Sequence, residues 1–236
     1  MRRRSVANLF RLNVGSGMGW IDGWVNCDLY PGPHVDEVFD CQGKWPFPDN
    51  SVQDITSSHM LEHLSDPKAF FREAWRVLIP NGAVALRVPY GGHRAAWYDL
   101  EHKRPWFAES FAFVQPGYAK SVGNPQHDGW EWPFAVDCCD YRLGFRVAPY
   151  FRRRWLRALF LPWVSCVPDW CEELYVYLSA LKTPDAVDTW CRSHSPNLIP
   201  SRYVVLRHHL EGKRPKPGDT SELIPIAELD SINGYI

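Results

Sequence analysis

The sequence lacks an apolar run long enough to cross a membrane as a helix, and no apolar segment follows the arginines near its N-terminus. Its seven cysteines are an odd number and lack the paired spacing of a disulfide framework. The net charge is only -1 at pH 7, so the overall charge does not draw the chain to nucleic acid or to a membrane surface. We therefore expect a reduced, cytoplasmic protein without a membrane partner.

The composition is that of a folded globular protein, with 45% hydrophobic and 22% charged residues in a chain of 236. Twelve tryptophans are unusually many, and we expect some of them to line a cleft or an interface. Arginines cluster at residues 2–4 and 152–157, the latter around Trp155. Because such clusters are more often solvated surface than binding sites, a small-molecule substrate is favoured over nucleic acid.

Hydrophobic periodicity predicts an alternation of strands and helices, which indicates an α/β fold. The predicted strands are residues 11–14, 24–29, 35–40, 52–58, 83–88, 141–147, 173–181 and 203–207. The predicted helices are residues 67–78, 108–114 and 151–161.

We expect one main domain over residues 1–182, with an irregular insertion at about 89–140 after the fifth strand. Residues 183–236 form a C-terminal extension rich in proline. Its predicted strand is able to pair with another subunit, which leaves a homo-oligomer through this extension open as a hypothesis.

A glycine loop at residues 15–19 follows the first predicted strand, and Asp28 and Asp40 end the second and third. The carboxyl ends of parallel strands meet at one edge of a sheet, so these groups are expected to converge on a ligand. A dinucleotide is disfavoured, because Trp20 stands where a third glycine is needed and too few residues remain for a crossover helix. A ligand without a pyrophosphate fits better.

Four stretches carry a resemblance to a known family. They are residues 12–17 (LNVGSG), 23–29 (GWVNCDL), 45–51 (WPFPDNS), and 57–64 (SSHMLEHL) leading to 76–82 (RVLIPNG). Together they resemble the class I S-adenosylmethionine-dependent methyltransferases, in the branch of small domains with a shortened first crossover. The resemblance covers about residues 11–182. It implies a Rossmann-like methyltransferase fold with a mostly parallel, seven-stranded sheet, S-adenosylmethionine as the cofactor, and methyl transfer as the reaction.

The resemblance also implies roles for individual residues. Asp28 is expected on the ribose and Asp40 near the adenine amine, while the pair Glu62 and His63 is expected to support the loop after the fourth strand. The implied cofactor-binding residues are Asn13, Gly15, Ser16, Gly17, Asp28, Leu29, Asp40, Ser58 and His59.

The sequence narrows the classes of molecule that accept the methyl group. The chain has neither the Asp/Asn-Pro-Pro-aromatic turn of amino-methyltransferases nor a Pro-Cys nucleophile after the fourth strand. We expect a small molecule, a sugar or a modified nucleotide. The alternatives are an enzyme that modifies nucleic acid or hypermodified bases, and a non-catalytic binding module with the same fold. Candidates for a catalytic base past the fifth strand are His102, His93 and Tyr90.

No metal site is expected from the sequence. The histidines and cysteines of the insertion and the later chain show no Cys-x-x-Cys or His-x-x-x-His spacing of a dedicated site.

Overall fold

The structure is a computed structural model that describes residues 9–124, 131–195, 199–206 and 223–225. Within these ranges, nine strands form one sheet. They are β1 (Phe10–Val14), β2 (Val25–Asp28), β3 (Glu37–Val38), β4 (Val52–Ser58), β5 (Leu78–Pro89), β6 (Phe134–Leu143), β7 (Cys171–Ala180), β8 (Ser201–Leu206) and β9 (Leu223–Pro225).

The described helices are mostly short. They are α1 (Pro67–Val77), α2 (Ala95–Tyr98), α3 (Ala108–Ala112), α4 (Tyr118–Ser121), α5 (Arg154–Phe160) and α6 (Pro184–Ser193). Helix α1 starts where the Asp66 carboxylate accepts hydrogen bonds from the backbone of Lys68 and Ala69, and Pro67 occupies the first helical position. None of the helices in the described ranges combines the length and the apolar composition that a membrane-spanning helix needs.

The strand order in the sheet is β3-β2-β1-β4-β5-β7-β6-β8-β9. Strands β1 to β5 run parallel, β7 is antiparallel to both β5 and β6, and β8 runs parallel to β6. In the sheet, β2 lies on one side of β1 and β4 lies on the other, so the strand order reverses at β1. This reversal opens a crevice at the carboxyl ends of β1, β2 and β4, which is where open α/β sheets bind ligands.

The structure confirms the α/β Rossmann-like fold and corrects two details. The sheet has nine strands rather than seven, because β8 and β9 of the C-terminal extension continue it beyond β6. The strand predicted at residues 141–147 is instead β6 (Phe134–Leu143), which begins inside the expected insertion. Its first residues, from Phe134 onward, are buried against the sheet, while a turn closed by Val147 N and Gly144 O ends it early.

The strand of the C-terminal extension pairs with β6 of its own chain. Arg202 on β8 donates through Nε and Nη2 to both carboxylate oxygens of Asp140 on β6, each at 2.8 Å. Asp140 is buried, so this bidentate ion pair supplies hydrogen-bond donors to a carboxylate that is removed from water.

Arg76 fixes helix α1 to the segment that precedes β4. Its guanidinium donates to the carbonyls of Trp45 (3.1 Å) and Phe47 (2.9 Å), and to the carboxylates of Asp49 (2.6 Å) and Glu73 (2.8 Å). Glu73 is buried and also accepts from the backbone N–H of Trp45 at 2.9 Å. Burial would raise the pKa of Glu73, but the Arg76 guanidinium outweighs burial and lowers it.

Replacing Arg76 with alanine should therefore leave the Glu73 carboxylate buried without its cation. We expect the free energy of unfolding to fall by about 2–3 kcal/mol. The measurement is urea unfolding followed by tryptophan fluorescence. Arg72→Ala, an exposed position on the same helix, serves as the control and should change stability much less. Equal losses for both variants would contradict this role of Arg76.

Candidate functional site

A glycine loop leads the chain out of β1. The backbone N–H groups of Gly15 and Ser16 both donate to the carbonyl of Cys27 on β2 at 2.9 Å, which folds the loop over the sheet edge. Gly15 and Gly17 adopt positive φ angles of 72° and 47°. A Cβ on Gly15 would lie 2.5 Å from Cγ of Met60, so this position is closed to larger residues.

The first crossover has no helix in its described residues, and polar side chains hold it in place. Asn13 Nδ2 donates to the Gly19 carbonyl and to Asn26 Oδ1, both at 2.9 Å, and Asn26 Oδ1 also accepts from Ile21 N at 2.8 Å. Asn13 and Asn26 are buried, so their amides replace the packing that a helix would provide. The Asn13 side chain thus holds the glycine loop in place.

Asp28 at the end of β2 organises this loop. Its Oδ2 accepts from Gly17 N at 2.8 Å and its Oδ1 accepts from Tyr30 N at 3.1 Å. Each carboxylate oxygen keeps a further lone pair, which suits acceptance from two hydroxyl groups of one ligand. Asp40 accepts from Gln42 N through Oδ1 at 2.8 Å, and its Oδ2 has no partner in the described part of the chain.

The first cleft lies beyond these strand ends and has a volume of about 450 Å³, within the range of sites for small organic ligands. Of the predicted cofactor residues, six line it: Gly15, Gly17, Asp28, Leu29, Asp40 and His59. Ser16 is buried in the loop, and its hydroxyl has no hydrogen-bond partner among the residues that the structure describes. Ser58 is exposed at the end of β4 and is not among the lining residues. Met60 and Leu64 add apolar surface to the cleft.

His59 follows β4 and is held by two carboxylates. Its Nδ1 lies 3.2 Å from Glu62 Oε1 and its Nε2 lies 3.0 Å from Glu173 Oε1. Burial would lower the pKa of His59, but the hydrogen bonds to Glu173 and Glu62 outweigh it and raise the pKa to about 9. At neutral pH the ring is therefore an imidazolium that donates from both nitrogens.

Glu173 on β7 is a buried carboxylate with several donors besides His59. Arg87 on β5 donates through Nε and Nη2 at 2.8 and 2.7 Å, Arg142 on β6 donates through Nε at 2.7 Å, and the Tyr175 hydroxyl donates at 3.3 Å. Burial alone would raise the pKa of Glu173, but the His59 hydrogen bond and the two guanidinium groups hold it well below its usual range. Glu173 therefore stays ionised.

A second cleft of about 570 Å³ opens on the other side of this network. The hydrogen bond between His59, which lines the first cleft, and Glu173, which lines the second, makes the two clefts neighbours. Four arginines and three carboxylates line the second cleft. Its lining residues are Arg87, His93, Arg94, Arg142, Gly144, Phe145, Arg146, Asp169, Glu172 and Glu173.

His93 is the candidate base that lines the second cleft. Its Nδ1 accepts from Ala95 N at 3.1 Å, and its Nε2 lies 3.7 Å from a carboxylate oxygen of Asp169. Because Nδ1 uses its lone pair on the backbone, the proton of a neutral ring is on Nε2. His93 is thus arranged to donate a hydrogen bond from Nε2.

The other two candidate bases lie elsewhere. Tyr90 is buried, its hydroxyl donates to the Ser165 carbonyl at 3.1 Å, and burial raises its pKa to about 12. His102 lies beside the His63 ring, with ring centroids 4.9 Å apart, and its Nδ1 is 3.3 Å from the Ala96 carbonyl. Neither residue is among those that line the two clefts.

Three residues that build the wall between the clefts were not among the predicted site residues: Arg87, Arg142 and Glu173. The signal in the sequence is a charged residue inside a strand pattern that is otherwise apolar, as in Leu86-Arg87-Val88. Such a residue needs a buried partner, but the pattern of one strand does not identify that partner.

A substitution at Gly15 tests the glycine loop. Gly15→Ala should place a Cβ against Met60 in addition to straining the backbone, whereas Gly23→Ala has a similar φ of 75° with nothing within 4 Å of its Cβ. We expect Gly15→Ala to lower the free energy of unfolding by about 1–3 kcal/mol more than Gly23→Ala does. Urea unfolding measures both, and equal losses would show that the close approach to Met60 does not matter.

Comparison with known proteins gives one matching family model and several similar solved structures. Residues 31–86 match the family model described as a methyltransferase domain. No curated protein matches the chain. Solved structures with similarity include the YcgJ protein of Bacillus subtilis (15% identity, 75% of this chain and 93% of that chain, TM-score 0.45). Another is an S-adenosylmethionine-dependent methyltransferase of Mesorhizobium loti (14% identity, 75% of this chain and 93% of that chain, TM-score 0.44). A third is an S-adenosylmethionine-dependent methyltransferase of Archaeoglobus fulgidus (13% identity, 73% of this chain and 87% of that chain, TM-score 0.48).

The matched segment contains two of the four stretches that carry the resemblance, at residues 45–51 and 57–82. The mostly parallel sheet, the crossover without a helix, and the glycine loop facing Asp28 agree with the same family. Over residues 31–86 the chain is thus similar to a methyltransferase domain.

Proposed function

We propose that the protein transfers a methyl group from S-adenosylmethionine, bound in the first cleft, to a small molecule with an anionic group, bound in the second. The observation that carries this proposal is the pair of neighbouring clefts joined by the hydrogen bond between His59 and Glu173. Methyl transfer needs two ligands held side by side with their reacting atoms in line. Two adjacent clefts at the carboxyl end of one sheet meet that need.

The first cleft fits the cofactor in its chemistry. When bound, S-adenosylmethionine supplies an electrophilic methyl carbon. The Asp28 carboxylate accepts hydrogen bonds from ribose hydroxyls, and Asp40 accepts from the adenine amine through its free Oδ2. Leu29 and Met60 give the adenosine portion an apolar surface. The loop at Gly15 and Gly17 lets the methionine portion approach the backbone.

The second cleft favours an acceptor with a phosphate or carboxylate group. Arg87 and Arg142 are committed to Glu173, and Arg94 is paired with Asp169. Arg146 is exposed and has no carboxylate partner within the described residues. A guanidinium that is free to make two parallel hydrogen bonds is suited to bind a phosphate or a carboxylate.

His93 is proposed to orient the acceptor rather than to remove its proton. Its Nε2 carries the proton when Nδ1 accepts from Ala95 N, so the ring donates a hydrogen bond into the second cleft. Tyr90 is proposed to be structural, because burial raises its pKa and its hydroxyl is satisfied by Ser165. The work of the protein in the reaction is then mainly positioning.

The small-molecule acceptor is favoured over nucleic acid by the burial of one arginine. Arg157 in the cluster at residues 152–157 is buried, and its Nη1 donates to the Phe151 carbonyl at 3.0 Å. The arginine cluster at residues 152–157 therefore exposes one cation fewer than its sequence predicts. Nucleic-acid binding rests on rows of exposed cations, which this segment provides only in part.

Asp28 tests the assignment of the cofactor cleft. We expect Asp28→Ala to weaken binding of S-adenosylmethionine by about 10- to 100-fold, because it removes hydrogen bonds to a charged acceptor. Asp28→Asn keeps one oxygen for Gly17 N and should give an intermediate loss. Isothermal titration calorimetry measures both. Unchanged affinity in Asp28→Ala would overturn the assignment.

Arg146 tests the acceptor cleft. Incubation with labelled S-adenosylmethionine and a fractionated cell extract should place the label in small molecules that bind an anion exchanger. For the purified acceptor, we expect Arg146→Glu to reduce kcat/KM by about tenfold or more, through the loss of a charged hydrogen bond and the added repulsion. The control is Arg192→Glu, an exposed position on α6, which should have no effect. Label found only in RNA or DNA, or equal rates for both variants, would contradict the proposal.

A further inference from the structure

Three residues of metal-ligating type meet at the edge of the first cleft: Glu62, His63 and His102. One ligand atom of each lies within 4.8 Å of the others. Glu62 and His63 stand in the turn after β4, and His102 stands in the insertion after β5. A backbone hydrogen bond of 2.7 Å from Lys103 N to Glu62 O holds these two segments together. The sequence predicts no metal site here, because Glu62 and His63 are far from His102 along the chain.

Glu62 has a carboxylate oxygen that no group in the described ranges satisfies. The residue is 1% exposed, and its Oε1 is hydrogen-bonded to His59. Its Oε2 is buried and has no hydrogen-bond partner in the part of the chain that the structure describes. A buried carboxylate oxygen without a donor is costly, and native proteins rarely leave one in that state. A bound cation would satisfy it.

His102 presents the nitrogen that a metal needs. A carbonyl only accepts hydrogen bonds, so Nδ1, at 3.3 Å from the Ala96 carbonyl, carries the proton. The lone pair of the neutral ring is therefore on Nε2. Histidines that bind metals usually donate their other ring N–H to a carbonyl or a carboxylate in this way. Asp99 lies 3.7 Å from Nε2 and adds negative charge beside it.

We propose that Glu62, His63 and His102 bind a divalent first-row transition metal ion, with Zn²⁺ as the best match. Two imidazoles and one carboxylate are a known ligand set for zinc, and three protein ligands leave the fourth tetrahedral position open. Ligands about 2.1 Å from a tetrahedral ion lie roughly 3.4 Å apart, so binding would draw the three side chains closer than they are. His63 lines the first cleft, so the ion would lie at its edge.

The test uses the full chain, treated with a chelator and exchanged into metal-free buffer. Titration with Zn²⁺ in a calorimeter should show one equivalent bound, and Co²⁺ should give the visible absorption of a site with low coordination number. His63→Ala and His102→Ala should each weaken Zn²⁺ binding by about 10-fold or more. His34→Ala, an exposed histidine stacked on Trp20, is the control and should bind like the wild type.

Wild-type protein that binds no equivalent of Zn²⁺ would overturn the proposal without any variant. Binding with equal affinity in wild type, His63→Ala and His102→Ala would overturn it as well, because the metal would then be held elsewhere, for example by cysteines. Circular dichroism of each variant separates a lost ligand from a lost fold. The result is independent of S-adenosylmethionine binding and of methyl transfer.

Discussion

The ionised carboxylate of Glu173 is the interaction on which both clefts depend. This carboxylate accepts hydrogen bonds from His59 after β4, from arginines on β5 and β6, and from a tyrosine on β7. It therefore connects the ends of these four strands. Together with Glu62 and Glu172, the network contains three cations and three anions. Its charged members are His59, Arg87, Arg142, Glu62, Glu172 and Glu173. Balanced charge and the hydrogen bonds that converge on Glu173 allow its carboxylate to remain buried.

The register of the sheet builds this network. Strand β7 runs antiparallel between β5 and β6, and its Glu173 stands directly opposite Arg142 of β6. On the other side, Arg87 of β5 stands opposite Tyr175, two residues along β7 on the same face. A slip of one residue in either pairing would turn Glu173 to the other face of the sheet. The charged network between the clefts is therefore a consequence of strand pairing, while loop residues such as Gly17 and His93 complete the lining of the clefts.

This origin explains what the sequence could and could not predict. The glycine loop and the acids at residues 28 and 40 are local signals, since each follows directly from where a strand ends. Glu173 bonds to Arg87, which is 86 positions away in the sequence, and to Arg142, which is 31 positions away. No local sequence pattern encodes these pairings. Strand β6 was misplaced for a related reason. Asp140 interrupts the apolar pattern of β6. Its burial is possible because Arg202, in the C-terminal extension, donates hydrogen bonds to its carboxylate.

His59 shows how the network bears on the first cleft. It has a positive φ of 51°, which costs a residue other than glycine about 1 kcal/mol or more, and two carboxylates hold it there. An imidazolium alone would repel a cationic ligand such as the proposed sulfonium cofactor. Because Glu62 and Glu173 bond to both of its nitrogens, the charge is offset at short range on each side. His59 and its two carboxylates thereby present no net positive charge to the proposed cofactor.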